Sequence, residues 1–353
     1  MIDYQSFKKI LFKLDPEKAH SLAEFSMRFG SNFTPFILSA IASKYFIADD
    51  RLEQKVLGIT FPNPIGIAAG FDKNAVIIKA LTALGFGYVE YGTITPKPQS
   101  GNDKPRLFRH IEEESLQNAM GFNNDGMEKV LKRVSKIYPY TTPLGANIGK
   151  NKTTSQENAI KDYEELTKAF SPFCDYLTIN ISSPNTPNLR NLQNEKFIKE
   201  LFQVCTQLTN KPILLKIAPD MSEKNAISIC EAAIENGALG IIAVNTTVDY
   251  SLVANPQNIG GISGKVLSEK SFKIFKALAE KFYNKTTLIS VGGISDAKDA
   301  YDRLLAGASL VQIYTSFIYE GPSIAYKINK GILELMNRDG FYNIKEAIGS
   351  KIK

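Results

Sequence analysis

The segment Asn180-Ile181-Ser182-Ser183-Pro184-Asn185-Thr186-Pro187 ends an apolar run, Tyr176 to Ile181, in a cluster of hydrogen-bonding side chains. Pro184 and Pro187 restrict the backbone around it, so Asn180, Ser183 and Asn185 would be held at fixed mutual angles. That arrangement suits a polar ligand, and taken alone it suits an ordinary Ser/Asn/Pro turn equally well. Asn147 and the pair Asn245-Thr246 also stand at the ends of apolar runs. An Asn side chain both donates and accepts. Asn118, Asn180, Asn185 and Asn245 together could therefore match the alternating N–H and C=O edge of a cyclic amide or imide.

Lys216 interrupts the apolar run Ile213 to Ile217. An ammonium buried there without a partner would be costly, so it either faces an anion or electron-rich ring or snorkels to water at a strand end. Lys73 has the same two readings, with Asp72 beside it as a candidate salt partner. The glycine clusters Gly260-Gly261-Ile262-Ser263-Gly264 and Val291-Gly292-Gly293-Ile294 suit backbone N–H groups approaching a phosphate. Gly264-Lys265 is not a P-loop, because Ile259 stands at the first glycine position and Val266 replaces the hydroxyl residue; there is no GxGxxG fingerprint either. A nucleotide with one phosphate, such as FMN, fits this signal better than a dinucleotide or ATP.

Composition narrows the chemistry further. The three cysteines, Cys174, Cys205 and Cys230, have no CxxC spacing, which argues against a disulfide framework, a zinc site and a four-thiolate cluster and favours a reducing compartment. His20 and His110 are the only histidines, and neither lies in an HExxH, Ser-His or Cys-His arrangement, so a base at the main site must be something else. The net charge of +6 mildly favours anionic ligands or a membrane surface, yet no Lys/Arg block resembles a nucleic-acid arm. Lys8, Lys9 and Lys13 break up any secretory apolar core, and no run of about 18 apolar residues occurs. The sequence therefore predicts neither export nor a transmembrane span.

The elements that must position these groups change character along the chain. Residues 1 to about 48 read as helices: Tyr4, Phe7, Leu11 and Leu14 at helical spacing, then Leu22, Phe25 and Phe29 after Asp15-Pro16, then a third segment opened by Thr34-Pro35. They could pack on the body of the protein or lie in a bilayer interface. From about residue 51, short apolar runs alternate with helical segments: Ile65–Ala69, Tyr88–Gly92, Leu144–Ile148, Tyr176–Ile181, Ile213–Ile217, Gly240–Val244, Thr287–Val291 and Ser309–Tyr314. Eight strands alternating with helices predict an α/β fold, a (β/α)8 TIM barrel with a small N-terminal helical extension; a doubly wound sheet is the alternative. In a barrel the residues after each strand share one rim, and a phosphate binds after the seventh and eighth strands. The connection Thr93 to Asp125 is too long for a simple loop and should cover a site.

With those residues assembled, the chain resembles the membrane-associated, quinone-linked class 2 dihydroorotate dehydrogenases along almost its whole length. The blocks that carry the resemblance are Leu11 to His20, Gly101 to Arg109, Met120 to Asn124, Asn180 to Pro187 and Gly307 to Tyr314. The resemblance implies oxidation of (S)-dihydroorotate to orotate in pyrimidine biosynthesis, with FMN accepting a hydride and a quinone, ubiquinone or menaquinone, reoxidising it. It makes Ser183 the base that removes the C5 proton, assisted by a relay for which Thr186 and ordered water are candidates. Substrate would bind Lys73, Asn118, Ala119, Met120, Gly121, Phe122, Asn180, Asn185, Asn245 and Thr246. FMN would contact Ala69, Gly70, Phe71, Asp72, Lys73, Thr93, Asn147, Asn180, Lys216, Val244, Gly264, Gly293, Tyr314 and Thr315. His20, Arg109 and Tyr314 would line the quinone end.

The resemblance also implies two parts, residues 1–48 as a membrane-associating quinone-access segment and 49–353 as the FMN-binding barrel. It selects the interfacial reading of the helices and places a peripheral protein on the cytoplasmic face of the cell membrane. Val244 stands where related sequences often carry Thr, and Thr315 where some carry Ser; backbone contact survives the first change and the hydroxyl is kept in the second. The competing expectations are a soluble dihydroorotate oxidase using fumarate or NAD, disfavoured by Ser183 in place of Cys, and a flavin- or membrane-binding scaffold without turnover.

Overall fold

The computed structural model describes residues 4–352, so residues 1–3 of the expected extension and residue 353 of the expected barrel lie outside it. Eight parallel strands close into a barrel: Ile65–Ile67, Tyr88–Ile94, Leu144–Ile148, Tyr176–Asn180, Ile213–Ile217, Gly240–Ala243, Thr287–Val291 and Leu310–Ile313. Each pairs with its neighbours in sequence, and the eighth pairs with the first. Closure excludes the doubly wound alternative, and all eight predicted strands are present, with end shifts of a residue or two.

Alternation along each strand sorts the side chains. Val89 and Tyr91 join the large core between barrel and helices. Tyr88 points inward, joining Tyr176, Leu214, Ile242, Ile289 and Leu310 in a second apolar cluster inside the barrel. The aromatic rings need room: a Cβ at Gly66 would lie 2.3 Å from the Tyr88 ring and one at Gly145 would lie 2.2 Å from that of Tyr176. Phe61, from the hairpin Gln54–Val56 and Ile59–Phe61, seals this end edge-on to Tyr88, with centroids 5.4 Å apart. Above the plug the interior turns polar, starting with Glu90.

Three helices precede the barrel, Tyr4–Leu11, Pro16–Phe33 and Pro35–Tyr45. Asp15 caps the second, accepting from the backbone N–H of Glu17 and Lys18 at 3.1 and 3.0 Å, and Pro16 opens its first turn. Leu14, expected on the first helix, lies in the turn after it. The helices are fastened to the body: Tyr4 donates to the Ile318 carbonyl at 2.7 Å, and Arg106 pairs with Glu17 at 2.7 Å. They nevertheless expose large apolar side chains, among them Phe25 at 66% and Phe36 at 71%. Among the described residues no helix is long and apolar enough to cross a membrane.

The long excursion after the second strand builds two further strands, Leu107–His110 and Ser115–Asn118, which join Gly261–Gly264 in a three-stranded antiparallel sheet. Residues 260–264, read from the sequence as a glycine cluster suited to a phosphate, thus end in an edge strand whose Ser263 and Gly264 face the main cavity. Gly260 and Gly264 are required by close pairing, since a Cβ would lie 2.1 Å from the Asn118 carbonyl oxygen and 2.7 Å from that of Glu114 respectively.

Candidate active site

The ends of the barrel strands and the three-stranded sheet enclose one cavity, which also reaches Glu17 and His20 on the second helix. Most of the residues singled out in the sequence line it: Ala69, Gly70, Lys73, Thr93, Asn118, Met120, Gly121, Phe122, Asn180, Ser183, Asn185, Lys216, Val244, Asn245, Thr246, Gly264, Gly293, Tyr314, Thr315 and His20. Asn147 lies behind this wall, Phe71 backs it beside His20, Ala119 is buried outside the lining, and Asp72 and Arg109 are turned elsewhere.

The four asparagines converge. Asn185 donates to Asn118 Oδ1 at 2.9 Å, and Asn245 donates at 2.9 Å to Ser182 Oγ, which donates in turn to Asn180 Oδ1 at 3.1 Å. Asn180 Nδ2 also bonds Thr93 Oγ1 at 3.0 Å and Asn147 Oδ1 at 3.1 Å, so these residues hold each other's orientation. Ser183 is 6% exposed, and its Oγ accepts the Asn185 N–H at 3.2 Å. Among the described residues the buried Asn185 Oδ1, Thr186 Oγ1 and Thr246 Oγ1 have no hydrogen-bond partner.

Lys216 does not snorkel. It is 4% exposed, in register with Asn180 on one side and Ile242 on the other, and its Nζ lies 3.7 Å from Glu90 Oε1. Burial pulls its pKa down and Glu90 opposes that pull. Glu90 is wholly buried, and it also accepts from Asn147 and Gln312 at 2.8 Å each, Thr178 at 3.2 Å and Tyr176 at 3.4 Å. Sequence reasoning missed Glu90, although a carboxylate inside the apolar run Tyr88 to Tyr91 was a signal of the same kind as Lys216.

Asp72 is not the salt partner of Lys73. Its carboxylate accepts the Val76 and Ile77 N–H groups at 2.8 and 2.9 Å, and burial raises its pKa to about 6 against those bonds. The Lys73 ammonium is depressed by burial. At the far end, the rings of His20 and Tyr314 flank Phe71 edge-on, with centroids 5.2 and 5.5 Å from it. Burial and the Lys73 charge hold the His20 imidazole down at about 3, which keeps it neutral. Arg109 is drawn to the turn after the first helix, donating to the Leu14 carbonyl at 2.8 Å and lying 4.6 Å over the Phe12 ring.

A closed (β/α)8 barrel with a polar, side-chain-rich cavity at the ends of its strands has the plan of a barrel enzyme. The family profile described as dihydroorotate dehydrogenase matches residues 51–336. Relatives named dihydroorotate dehydrogenase (quinone) include one from a Nitratiruptor species, 58% identical over 352 residues and 100% of both chains, and one from Helicobacter acinonychis (strain Sheeba), 53% identical over 99% of both. Among solved structures, the dihydroorotate dehydrogenase of Eimeria tenella in complex with ferulenol superposes with a TM-score of 0.82, at 34% identity over 95% of each chain. The chain belongs to the dihydroorotate dehydrogenase family, and is an oxidoreductase.

Proposed function

We propose that this chain oxidises (S)-dihydroorotate to orotate and passes the electrons through FMN to a quinone, ubiquinone or menaquinone, as a step of pyrimidine synthesis. The observation that carries this reading is the single cavity in which Ser183 and four asparagines gather, with buried Lys216 and the Gly292-Gly293 turn in the same wall.

The residues present fit a flavin mononucleotide. Gly292 and Gly293 put bare backbone on the cavity wall at φ of 115° and 70°, and a Cβ at Gly293 would lie 2.3 Å from the Ser268 backbone. Gln312 Oε1, buried beside Lys216's partner Glu90, has no partner among the described residues. Lys216 and Gln312 would hold the ring system, with Thr93, Asn147, Asn180 and Val244 around it. Gly264, Gly293, Tyr314 and Thr315 would hold the phosphate end, and Ala69 to Lys73 the intervening edge. FMN bound there supplies the hydride acceptor and the electron relay.

The chain's own residues do the rest. Asn118, Asn180, Asn185, Asn245 and Thr246 present donors and acceptors to the pyrimidine edge, while Lys73 faces its carboxylate. Ser183 takes the C5 proton. A serine is a weak base at neutral pH, so the proton must move on; the buried, unpartnered Thr186 Oγ1 supports a relay through that residue. His20, Phe71 and Tyr314 give the quinone end an aromatic wall, with Arg109 at the turn after the first helix.

Residues 1–48 serve in this reading as the membrane-associating access segment and 49–353 as the catalytic barrel. Among the described residues, eight of thirteen exposed large apolar side chains fall between Phe7 and Ile37, a density that fits a lipid interface better than water. The buried, unpaired Cys174, Cys205 and Cys230 accord with the cytoplasmic face. The test is anaerobic absorbance of the purified protein. Dihydroorotate should bleach the flavin band near 450 nm (roughly, as FMN implies), and a soluble quinone analogue should restore it. No bleaching would overturn the reading; bleaching without recovery would overturn its quinone half.

A further inference from the structure

Arg190 stands outside the cavity, on a short 3₁₀ turn, Leu189–Leu192, just beyond the Ser183 loop. Each of its nitrogens reaches a different segment. Nε donates to the Ser182 carbonyl at 2.9 Å, Nη2 to the Thr246 carbonyl at 2.7 Å, and Nη1 to Asp220 Oδ2 at 2.8 Å. Those segments follow the fourth, sixth and fifth barrel strands respectively. Asp220 is itself held from several sides: Lys270 donates to it at 2.7 Å, the Val248 N–H at 2.9 Å, and the Thr247 hydroxyl closes the set. Burial opposes ionisation of Asp220, but these bonds together outweigh it and keep the carboxyl below its usual range.

The two carbonyls that Arg190 grips belong to neighbours of the residues that matter. Ser182 precedes Ser183, and Thr246 follows Asn245, whose amide already bonds the Ser182 hydroxyl. Without the guanidinium, the two loops would meet through that one side-chain bond and ordinary packing.

We propose that Arg190, anchored by Asp220, is a positioning residue that sets the distance between the Ser183 loop and the Asn245-Thr246 face, and so the alignment of the base with the substrate proton. This rests on the reading of Ser183 as base. A planar guanidinium with donors on three sides can bridge two carbonyls and a carboxylate at once; an ammonium cannot reproduce that geometry. Displacements of about 1 Å at a reacting pair cost on the order of 10²-fold in rate.

The test uses the full-length, FMN-loaded enzyme and the variants Arg190→Gln, Arg190→Lys and Asp220→Asn. Rapid mixing gives the limiting rate of flavin bleaching by dihydroorotate, with and without deuterium at C5, and the rate of flavin recovery with a quinone analogue. Arg190→Gln should slow limiting bleaching by about 10- to 100-fold and enlarge the C5 isotope effect, with FMN content and quinone recovery unchanged. Arg190→Lys and Asp220→Asn should fall between that variant and the parent. A parental limiting rate with only the half-saturating dihydroorotate concentration raised would overturn the proposal. So would equal losses in bleaching, FMN content and quinone recovery, the signature of a purely structural role. If Arg190→Gln does not fold, Asp220→Asn alone decides by the same readouts. Failure of the parent to bleach would instead refute the underlying reading of the site.

Discussion

Replacing Lys216 with Met should destabilise the barrel through Glu90. Two unit charges 3.7 Å apart interact by about 4 kcal/mol at an effective dielectric near 20, the value suited to such sites. Part of that is recovered, because Met no longer carries a buried ammonium to desolvate and Glu90 keeps donors from Asn147, Gln312, Thr178 and Tyr176. The remaining loss is about 2–3 kcal/mol, below the roughly 3–5 usual when a buried pair loses one member and its partner is left alone. Urea unfolding followed by far-ultraviolet circular dichroism measures it, at fixed pH and with FMN both added and omitted. The double variant Lys216→Met with Glu90→Gln removes the orphaned charge and should regain at least about 1 kcal/mol of the loss, a coupling of the size expected for contacting residues. If Lys216→Met were as stable as the parent, or the double variant less stable than the single one, Glu90 would not be the counter-charge of Lys216.

Three other outcomes are expected. Ser183→Ala should retain FMN and slow bleaching by dihydroorotate by roughly 10²- to 10⁴-fold, the range for losing a general base; stopped-flow absorbance checks it. Deleting residues 1–48 should spare dihydroorotate-driven bleaching while abolishing quinone turnover and vesicle binding, read by steady-state assay and by co-sedimentation with liposomes. His20 has a folded pKa of about 3, below its ordinary 6.5, so the unfolded chain binds the proton first and His20 favours the fold above about pH 6.5. That contribution drains away as pH falls from about 6.5 toward 3, and His20→Gln should flatten this part of the stability profile in pH-dependent thermal melts.

The barrel was legible because parallel strands buried on both faces read as unbroken apolar runs, and eight of them alternate with amphipathic helices. The Ser183 loop and the asparagines were legible because polar clusters at strand ends are the exception to that pattern. Residues 260–264 were legible only in part, because a glycine run is the same signal whether it admits a phosphate or a neighbouring strand. The strand beside Gly260 is seen only in the fold, where the Asn118 carbonyl lies at the place a Cβ would take, a contact between positions far apart in sequence. Asp72 misled for a related reason: adjacency to Lys73 suggested a pair, whereas the local turn offered its carboxylate two backbone donors closer to hand. Arg190 gave no sequence signal, since a lone arginine after a loop is usually solvated.

The proposal that Ser183 is the base is supported by where the other proton acceptors are. Cys174, Cys205 and Cys230 are fully buried away from the cavity, and burial drives their thiols well above the ordinary range, Cys205 to about 11. His20 lies at the aromatic end beside Phe71. The other carboxylates on the cavity wall are paired: Glu17 with Arg106 and Lys104 at 2.7 and 3.2 Å, Glu114 with Lys265 at 2.8 Å and Glu320 with Lys327 at 3.4 Å. Glu90 is enclosed by its own donors below the floor. Among these candidates Ser183 alone stands beside the four asparagines that would orient a cyclic amide, with its Oγ already fixed by the Asn185 N–H. A serine so placed needs alignment and a proton outlet more than it needs a low pKa. The Arg190 bridge would supply the first and Thr186 the second, which is why the loop's supports, and not only its hydroxyl, should register in the rate of substrate oxidation.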